Sequence, residues 1–290
     1  MKIAVFGSKH HEIVVSLIGD MLKYFQNKKE FSFAFEKYFY ENLKNQNIDL
    51  QQVTTLDECD FTADLVLSFG GDGTFLNTAA CVGSRQIPIL GINVGRLGFL
   101  TRLSGSEITE LHQIIENQDF EVDERTVIKM ENSENISVKM PFALNEIAIM
   151  KQDTSSMINI EAKVNGELIN TYRADGLIIA TPTGSTAYSM SVGGPIAVPK
   201  AANFILSPIA SHSLNVRPLI IPDSWKVELA INSRSGSYLV AIDGRSQIFK
   251  NRTKLIISRA PHKVLIAKQK GRNFFDTLKE KLLWGADSRG

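Results

Sequence analysis

Two stretches of this 290-residue sequence gather residue types suited to chemistry on a phosphorylated substrate. The first is "LSFGGDGTFL", Leu67 to Leu76, in which Gly70, Gly71 and Gly73 surround Asp72. Glycines let backbone N–H groups come close to an anion, and a helix start beyond them adds further donors. A carboxylate in such a loop repels phosphate, so Asp72 needs a task. It can take the proton of an attacking hydroxyl, or hold a Mg²⁺ ion that bridges phosphates. Asp-Gly also occurs in turns for purely local reasons. An apolar strand before the loop and a helical pattern after it favour the chemical tasks, and with them transfer of a phosphoryl group to a hydroxyl. The lysine-bearing phosphate loop is absent, and the G-x-G-x-x-G dinucleotide fingerprint would need a glycine where Leu76 stands.

The second stretch is "YRADGLIIATPTGSTAYSMSVGGPI", Tyr172 to Ile196. Thr183, Ser185, Thr186, Ser189 and Ser191 offer small hydroxyls around the tight Pro182–Gly184 connection, and Tyr188 adds a ring for stacking. This surface suits a ligand with ribose, phosphate and flat bases. Between the two stretches lies "FALNEIAIM", where Asn145 and Glu146 interrupt an apolar strand. An unpaired buried carboxylate costs several kcal/mol, so Glu146 either reaches an edge or accepts bonds from a ligand such as a ribose diol. The glycines of "GINVGRLGFL", Gly91 to Leu100, predict a turn that packs against the first loop, and Arg96 could face phosphate or an exposed partner.

The elements around these stretches fall into two kinds. "KIAVFG", "ADLVLSFGG" and "IPILGIN" read as buried strands, with helical spacing at 10–25, 31–43, 74–83 and 106–117, the last with Ser106 as cap. Strands alternating with helices predict a parallel sheet covered on both faces. From about residue 119 the chain reads as short strands, with Asn165-Gly166 and Asp243-Gly244 as hairpin turns. "KLIISRA" and "KVLIAK" read as two further strands, and "NFFDTLKEKLLW" returns to helical spacing. The expected fold is an α/β N-terminal domain with a parallel sheet plus an all-β C-terminal domain, the last helix returning to the first domain. The expected bounds are 1–120 with 268–290, and 121–267.

Composition narrows the function. Lys plus Arg is 32 against 31 for Asp plus Glu, a net charge of +1, so no basic field argues for nucleic acid or a membrane surface. Cys59 and Cys81 are too few for a disulfide framework, and no Cys/His group has zinc spacing, His10 and His11 standing alone. No metal-ligating residue is assigned. The apolar run at the N-terminus is short, and no run of about 18 apolar residues occurs, so a cytoplasmic protein is expected.

Taken in order, "GGDGTFL", "NVGRLGF", "NEI", "DGLIIATPTGSTAYSMSVGGPI" and "SHSLNVRPLIIP" resemble the NAD kinase family. The first segment is shared with a wider kinase superfamily; the fourth is specific. The resemblance implies ATP-dependent phosphorylation of the adenosine ribose 2′-hydroxyl of NAD, giving NADP, with Mg²⁺ or another divalent metal accompanying ATP. It implies Asp72 as proton acceptor, Gly73 as a backbone contact and Phe75 beside NAD. Asn145 and Glu146 match the pair that holds NAD. Arg173 and Asp175 match the start of the long motif, Thr183 precedes its core, and Thr186, Ala187, Tyr188, Ser189, Met190 and Ser191 match it directly. Ala210 and His212 match the fifth segment. A homotetramer or homodimer in which a neighbouring subunit completes the site is implied as well. Two positions depart from the pattern: Ser211 replaces a frequent proline, and Arg245 follows Gly244 where Gln is frequent, with Gln247 two residues on. The alternatives are a related kinase acting on a lipid or sugar phosphate, and a non-catalytic NAD-binding module.

Overall fold

The computed structural model describes residues 1–290 apart from 9–11, 47, 57–58, 96–97, 102, 105–107, 154–155, 272 and 286–290. The chain forms two compact units, Met1–Glu124 with Val264–Gly290, and Arg125–Lys263. No helix among the described residues is long and apolar enough to cross a membrane.

In the first unit the strands β1 (Lys2–Gly7), β2 (Ser32–Glu36), β3 (Val53–Leu56), β4 (Leu65–Phe69), β5 (Ile89–Asn93) and β6 (Leu103–Ser104) alternate with α1 (Glu12–Phe25), α2 (Lys37–Lys44), α3 (Asp72–Val82) and α4 (Ile108–Asn117). The parallel order is β5-β4-β1-β2-β3. Every residue of β4 and β5 is buried, as a sheet covered on both faces requires. The chain steps outward from β1 to β3 and then returns to the other side of β1 with β4. That reversal is a topological switch point at the carboxyl ends of β1 and β4, the usual ligand position in open α/β sheets. Ser8 N donates to Phe69 O at 3.0 Å and Gly70 N to Ile92 O at 2.9 Å, so the glycine loop starts at this point.

The segment expected to be helical over 31–43 is divided. Phe33 and Phe35 alternate into the core from β2, and only α2 is helical. Glu36 marks the change by accepting N–H bonds from Tyr38 and Phe39, at 3.0 and 2.7 Å, as an N-cap. The expected cap Ser106 lies outside the described residues. Cys59 and Cys81 are joined in a disulfide that ties the end of α3 to the segment before β4.

The second unit continues β7 (Glu121–Asn132) and holds β8 (Phe142–Ala143), β9 (Glu146–Lys151), β10 (Ile158–Val164), β11 (Glu167–Ala174), β12 (Gly176–Ala180), a short α5 (Tyr188–Ser191), β13 (Asn203–Ile209), β14 (Leu219–Pro222), β15 (Val227–Asn232), β16 (Ser237–Ile242) and β17 (Arg245–Lys250). The two strands expected near the end are one continuous strand, β18 (Lys254–Lys268). One antiparallel sheet runs β14-β13-β12-β9-β16-β17. Its residues Ile147, Ile149, Leu177 and Ile179 pack against Ile158, Ile160, Leu229 and Ile257 of the sheet containing β10, β15 and β18. Both hairpin turns occur: Asn165 and Gly166 have φ of 49° and 86°, Asp243 and Gly244 of 44° and 80°, the pattern of a two-residue I′ turn. The last helix, α6 (Phe274–Leu282), opens with a capping box between Asn273 and Asp276 and belongs to the first unit.

Candidate active site

Asp72 is the first residue of α3, behind Gly71 in extended conformation. Its carboxylate does not cap its own helix. Oδ1 accepts from Leu100 N at 3.1 Å, Thr101 N at 3.2 Å and Thr101 Oγ1 at 3.2 Å, and Oδ2 from Phe99 N at 2.9 Å. Lys281 on α6 brings its ammonium to 3.8 Å from Oδ2 and lies over the Phe99 ring. Asn93 Nδ2 donates to Thr101 Oγ1 at 3.0 Å, which directs the threonine proton to Asp72. Gly98 explains how the segment comes so close: a Cβ there would fall on Asp72 Oδ1. The expected packing of Gly91–Leu100 against the first loop is therefore realised through backbone amides, while Arg96 lies outside the described residues. With three contacts on Oδ1 and one amide on Oδ2, Oδ2 retains acceptor capacity, and the side chain keeps 29% of its surface exposed. Gly73 has open space around its Cβ position. Phe75 is fully buried and packs toward Gly91 of β5.

In the second unit Asn145 and Glu146 stand where β9 begins, between the ends of β12 and β16, with Glu146 paired to Ala180. Asp243, in the turn after β16, accepts from Leu144 N at 2.7 Å, Asn145 N at 2.9 Å and Glu146 N at 3.0 Å. From the other side, Thr181 N donates to Asn145 O at 2.8 Å and Thr181 Oγ1 to Leu144 O at 2.5 Å. Gly184 lies so close that a Cβ would meet the Asn145 carbonyl. Glu146 accepts from the Tyr188 amide, but Oε2 is buried with no partner among the described residues. Burial, and then the negative charge of Asp243, push the Glu146 carboxyl up to about 8. Burial also pushes Asp243 up, against the three amides and Arg245 that pull it back.

The long motif is bound into this cluster unevenly. Thr183 accepts from Arg125 Nη1 at 3.3 Å. Thr186 Oγ1 donates to Thr183 O at 3.4 Å, Ser191 Oγ to Tyr188 O at 2.7 Å, and Met190 N to Ala187 O at 3.1 Å. Ser189 is buried, its hydroxyl shared with Ser207 at 2.9 Å. Arg173, Asp175, Ala210 and His212 gather instead at the opposite end of β12, about 13 Å away at ~3.3 Å per strand residue. There His212 N donates to Arg173 O at 2.9 Å, and Asp175 pairs with Lys151 at 2.7 Å. Arg173 and His212 line a cleft of about 480 Å³ with Asn159, Asn232 and Arg234. Arg245 Nη2 donates to Phe142 O at 2.9 Å, and Gln247 Nε2 to Ser137 O at 3.2 Å.

Sequence reasoning missed Thr101, Lys281, Asp243 and Arg125. Asp243 carried a signal as a turn residue, and Thr101 as the neighbour of the Gly91–Leu100 glycine segment; Lys281 and Arg125 are brought in by tertiary structure alone.

Residues 15–120 match the ATP-NAD kinase N-terminal domain, and residues 144–269 the ATP-NAD kinase C-terminal domain. The chain belongs to the NAD kinase family. The NAD kinase of Bacteroides fragilis strain YCH46 is 46% identical over 290 residues, covering all of both chains. That of Porphyromonas gingivalis strain W83 is 41% identical over 291 residues and 99% of each chain. An NAD kinase from Archaeoglobus fulgidus, solved in complex with ATP, is 28% identical with a TM-score of 0.75 over 98% of this chain and 99% of that one. A yeast NADH kinase complexed with NADH shares the fold, with a TM-score of 0.89 at 22% identity over 100% of this chain and 89% of that one. As a member of the NAD kinase family the chain is a phosphotransferase, and of the acceptors left open by the sequence the family selects NAD over a lipid or a sugar phosphate.

Proposed function

We propose that Asp72 is the group that receives the proton as the ribose 2′-hydroxyl of NAD attacks the γ-phosphorus of ATP. The new bond joins O2′ to phosphorus, the bond to the β,γ-bridging oxygen breaks, and ADP leaves with that oxygen. The observation that carries this role is the fixing of the Asp72 carboxylate by the Phe99–Thr101 amides, with Oδ2 still able to accept a bond. A positioned base of this kind contributes about 10²- to 10⁴-fold; the rest comes from alignment and from donors that neutralise the transferring phosphoryl group. Gly70, Gly71, Gly73 and the start of α3 are suited to that second task.

Asn145 and Glu146 bind NAD, with the ribose diol donating into the buried Oε2 that has no protein partner among the described residues. Thr183 and the Thr186–Ser191 segment hold nucleotide beside them. Among the described residues no group of three His, Cys, Asp or Glu side chains gathers to hold a metal. Mg²⁺ enters with ATP as part of the substrate, where it would neutralise phosphate charge. Arg173, Asp175, Ala210 and His212 would complete the site of a second copy in a homodimer or homotetramer, a reading supported by their place at the far end of β12 from Glu146. The enzyme acts in the cytoplasm, where NAD and ATP are both available. Incubation of the pure protein with ATP, Mg²⁺ and NAD tests the proposal: NADP should appear in step with ADP, and ADP without NADP would overturn it.

A further inference from the structure

Arg125 on β7 is 3% exposed, and its Nη1 lies 3.3 Å from Thr183 Oγ1. A guanidinium carries donors only, so the direction of this bond is settled: Arg125 donates and the threonine hydroxyl accepts. A hydroxyl that accepts from a cation keeps its own proton for another partner, and the buried charge polarises it into a stronger donor. Thr183 is 7% exposed and opens the 3-10 turn Thr183–Thr186. That turn is locked beside Asn145, since Gly184 leaves no room for a Cβ against the Asn145 carbonyl and Gly184 N donates to Thr181 Oγ1 at 3.1 Å. Burying a guanidinium is costly unless its donors are used, and here one of them is directed at a residue of the nucleotide loop.

We propose that Arg125 is a positioning residue for the nucleotide site: it holds Thr183 so that the threonine hydroxyl donates to an acceptor atom of the bound nucleotide. The inference rests on the nucleotide reading of the Thr183 loop and goes beyond it by assigning a support residue and a direction of donation. The test compares Arg125→Leu, Arg125→Lys, Thr183→Val and the Arg125→Leu/Thr183→Val double variant, in the full-length protein. The dissociation constants of NAD and of ATP are measured separately by calorimetry, alongside kcat.

Each single removal should weaken one and the same nucleotide by roughly tenfold, the loss of about one charge-assisted hydrogen bond, with a smaller effect on kcat. The double variant should be no weaker than the singles, because both break one unit, and Arg125→Lys should recover part of the loss. Multiplying effects in the double variant would overturn the proposal. So would an Arg125→Leu protein that loses thermal stability but binds both nucleotides as the wild type does. Should Arg125→Leu not fold, unchanged binding in Thr183→Val overturns it equally. Failure of the wild type to make NADP contradicts the kinase mechanism instead, and leaves these binding constants readable.

Discussion

Replacing Glu146 by Gln should change how stability depends on pH. The Glu146 carboxyl is raised from 4.5 to about 8, by burial first and by Asp243 second. The difference, 8 − 4.5 = 3.5, corresponds to about 5 kcal/mol at ~1.4 kcal/mol for each step of ten in affinity, an upper size for a side chain that is not wholly enclosed. The sign follows from proton binding. The folded chain keeps a proton that the unfolded chain has already released, so stability is complete below 4.5, falls as pH rises, and reaches its full loss above about 8. Glutamine has no charge to bury, so the variant lacks this fall. Urea titrations at about pH 5, 7 and 9 give the midpoints, with the slope m as a check on two-state behaviour. Relative to the wild type, Glu146→Gln should gain several kcal/mol between the lowest and highest pH. Parallel pH profiles would refute the assignment of a buried, raised carboxyl. Asp243 titrates in both proteins and largely cancels.

Gly98→Ala should displace the Asp72 carboxylate without replacing the residue, because the new methyl group falls on Asp72 Oδ1 and next to Thr101 Oγ1. Steady-state kinetics should show a large fall in kcat, with an overpacking cost of about 1–3 kcal/mol in denaturation. Gly184→Ala presses a methyl group onto the Asn145 carbonyl and should weaken NAD binding in calorimetry, at a similar cost in stability. Cys81→Ser opens the bond to Cys59, which spans 22 residues, and should cost about 3 kcal/mol under oxidising conditions, with no difference from wild type after dithiol reduction.

Much of the fold can be read from residue pattern because burial enforces it. The strand at Leu65–Phe69 is buried throughout, apolar but for Ser68, and runs into glycines, and the two I′ turns need residues that tolerate positive φ, supplied by Asn165-Gly166 and Asp243-Gly244. "FSFAFEKYFY" misleads for a physical reason: its first phenylalanines follow the period of a strand, while Phe39 pairs with Leu43 at helical spacing, so one helical reading spans both. Glu36, a carboxylate that caps α2, is the residue at which the period changes. Candidate site residues stand out in the sequence where chemistry needs a rare residue type, as with Asp72 among glycines and Glu146 in an apolar strand. Their supports do not. Asp243 looks like any turn residue until its carboxylate is seen to hold three amides of another strand. Lys281 comes from the last helix, and Arg125 sits in a strand of mixed charge, so no local spacing marks either.

In the proposed mechanism the Asp72 carboxylate takes part in the transfer rather than only bracing the Phe99–Thr101 segment. Turnover of Asp72→Asn with saturating MgATP and NAD, together with the NAD dissociation constant of the same preparation, tests it most directly. Loss of the base should lower kcat by about 10²- to 10⁴-fold while NAD binding stays within about threefold of the wild type. A variant that binds NAD normally and still makes NADP at close to the wild-type rate would contradict it.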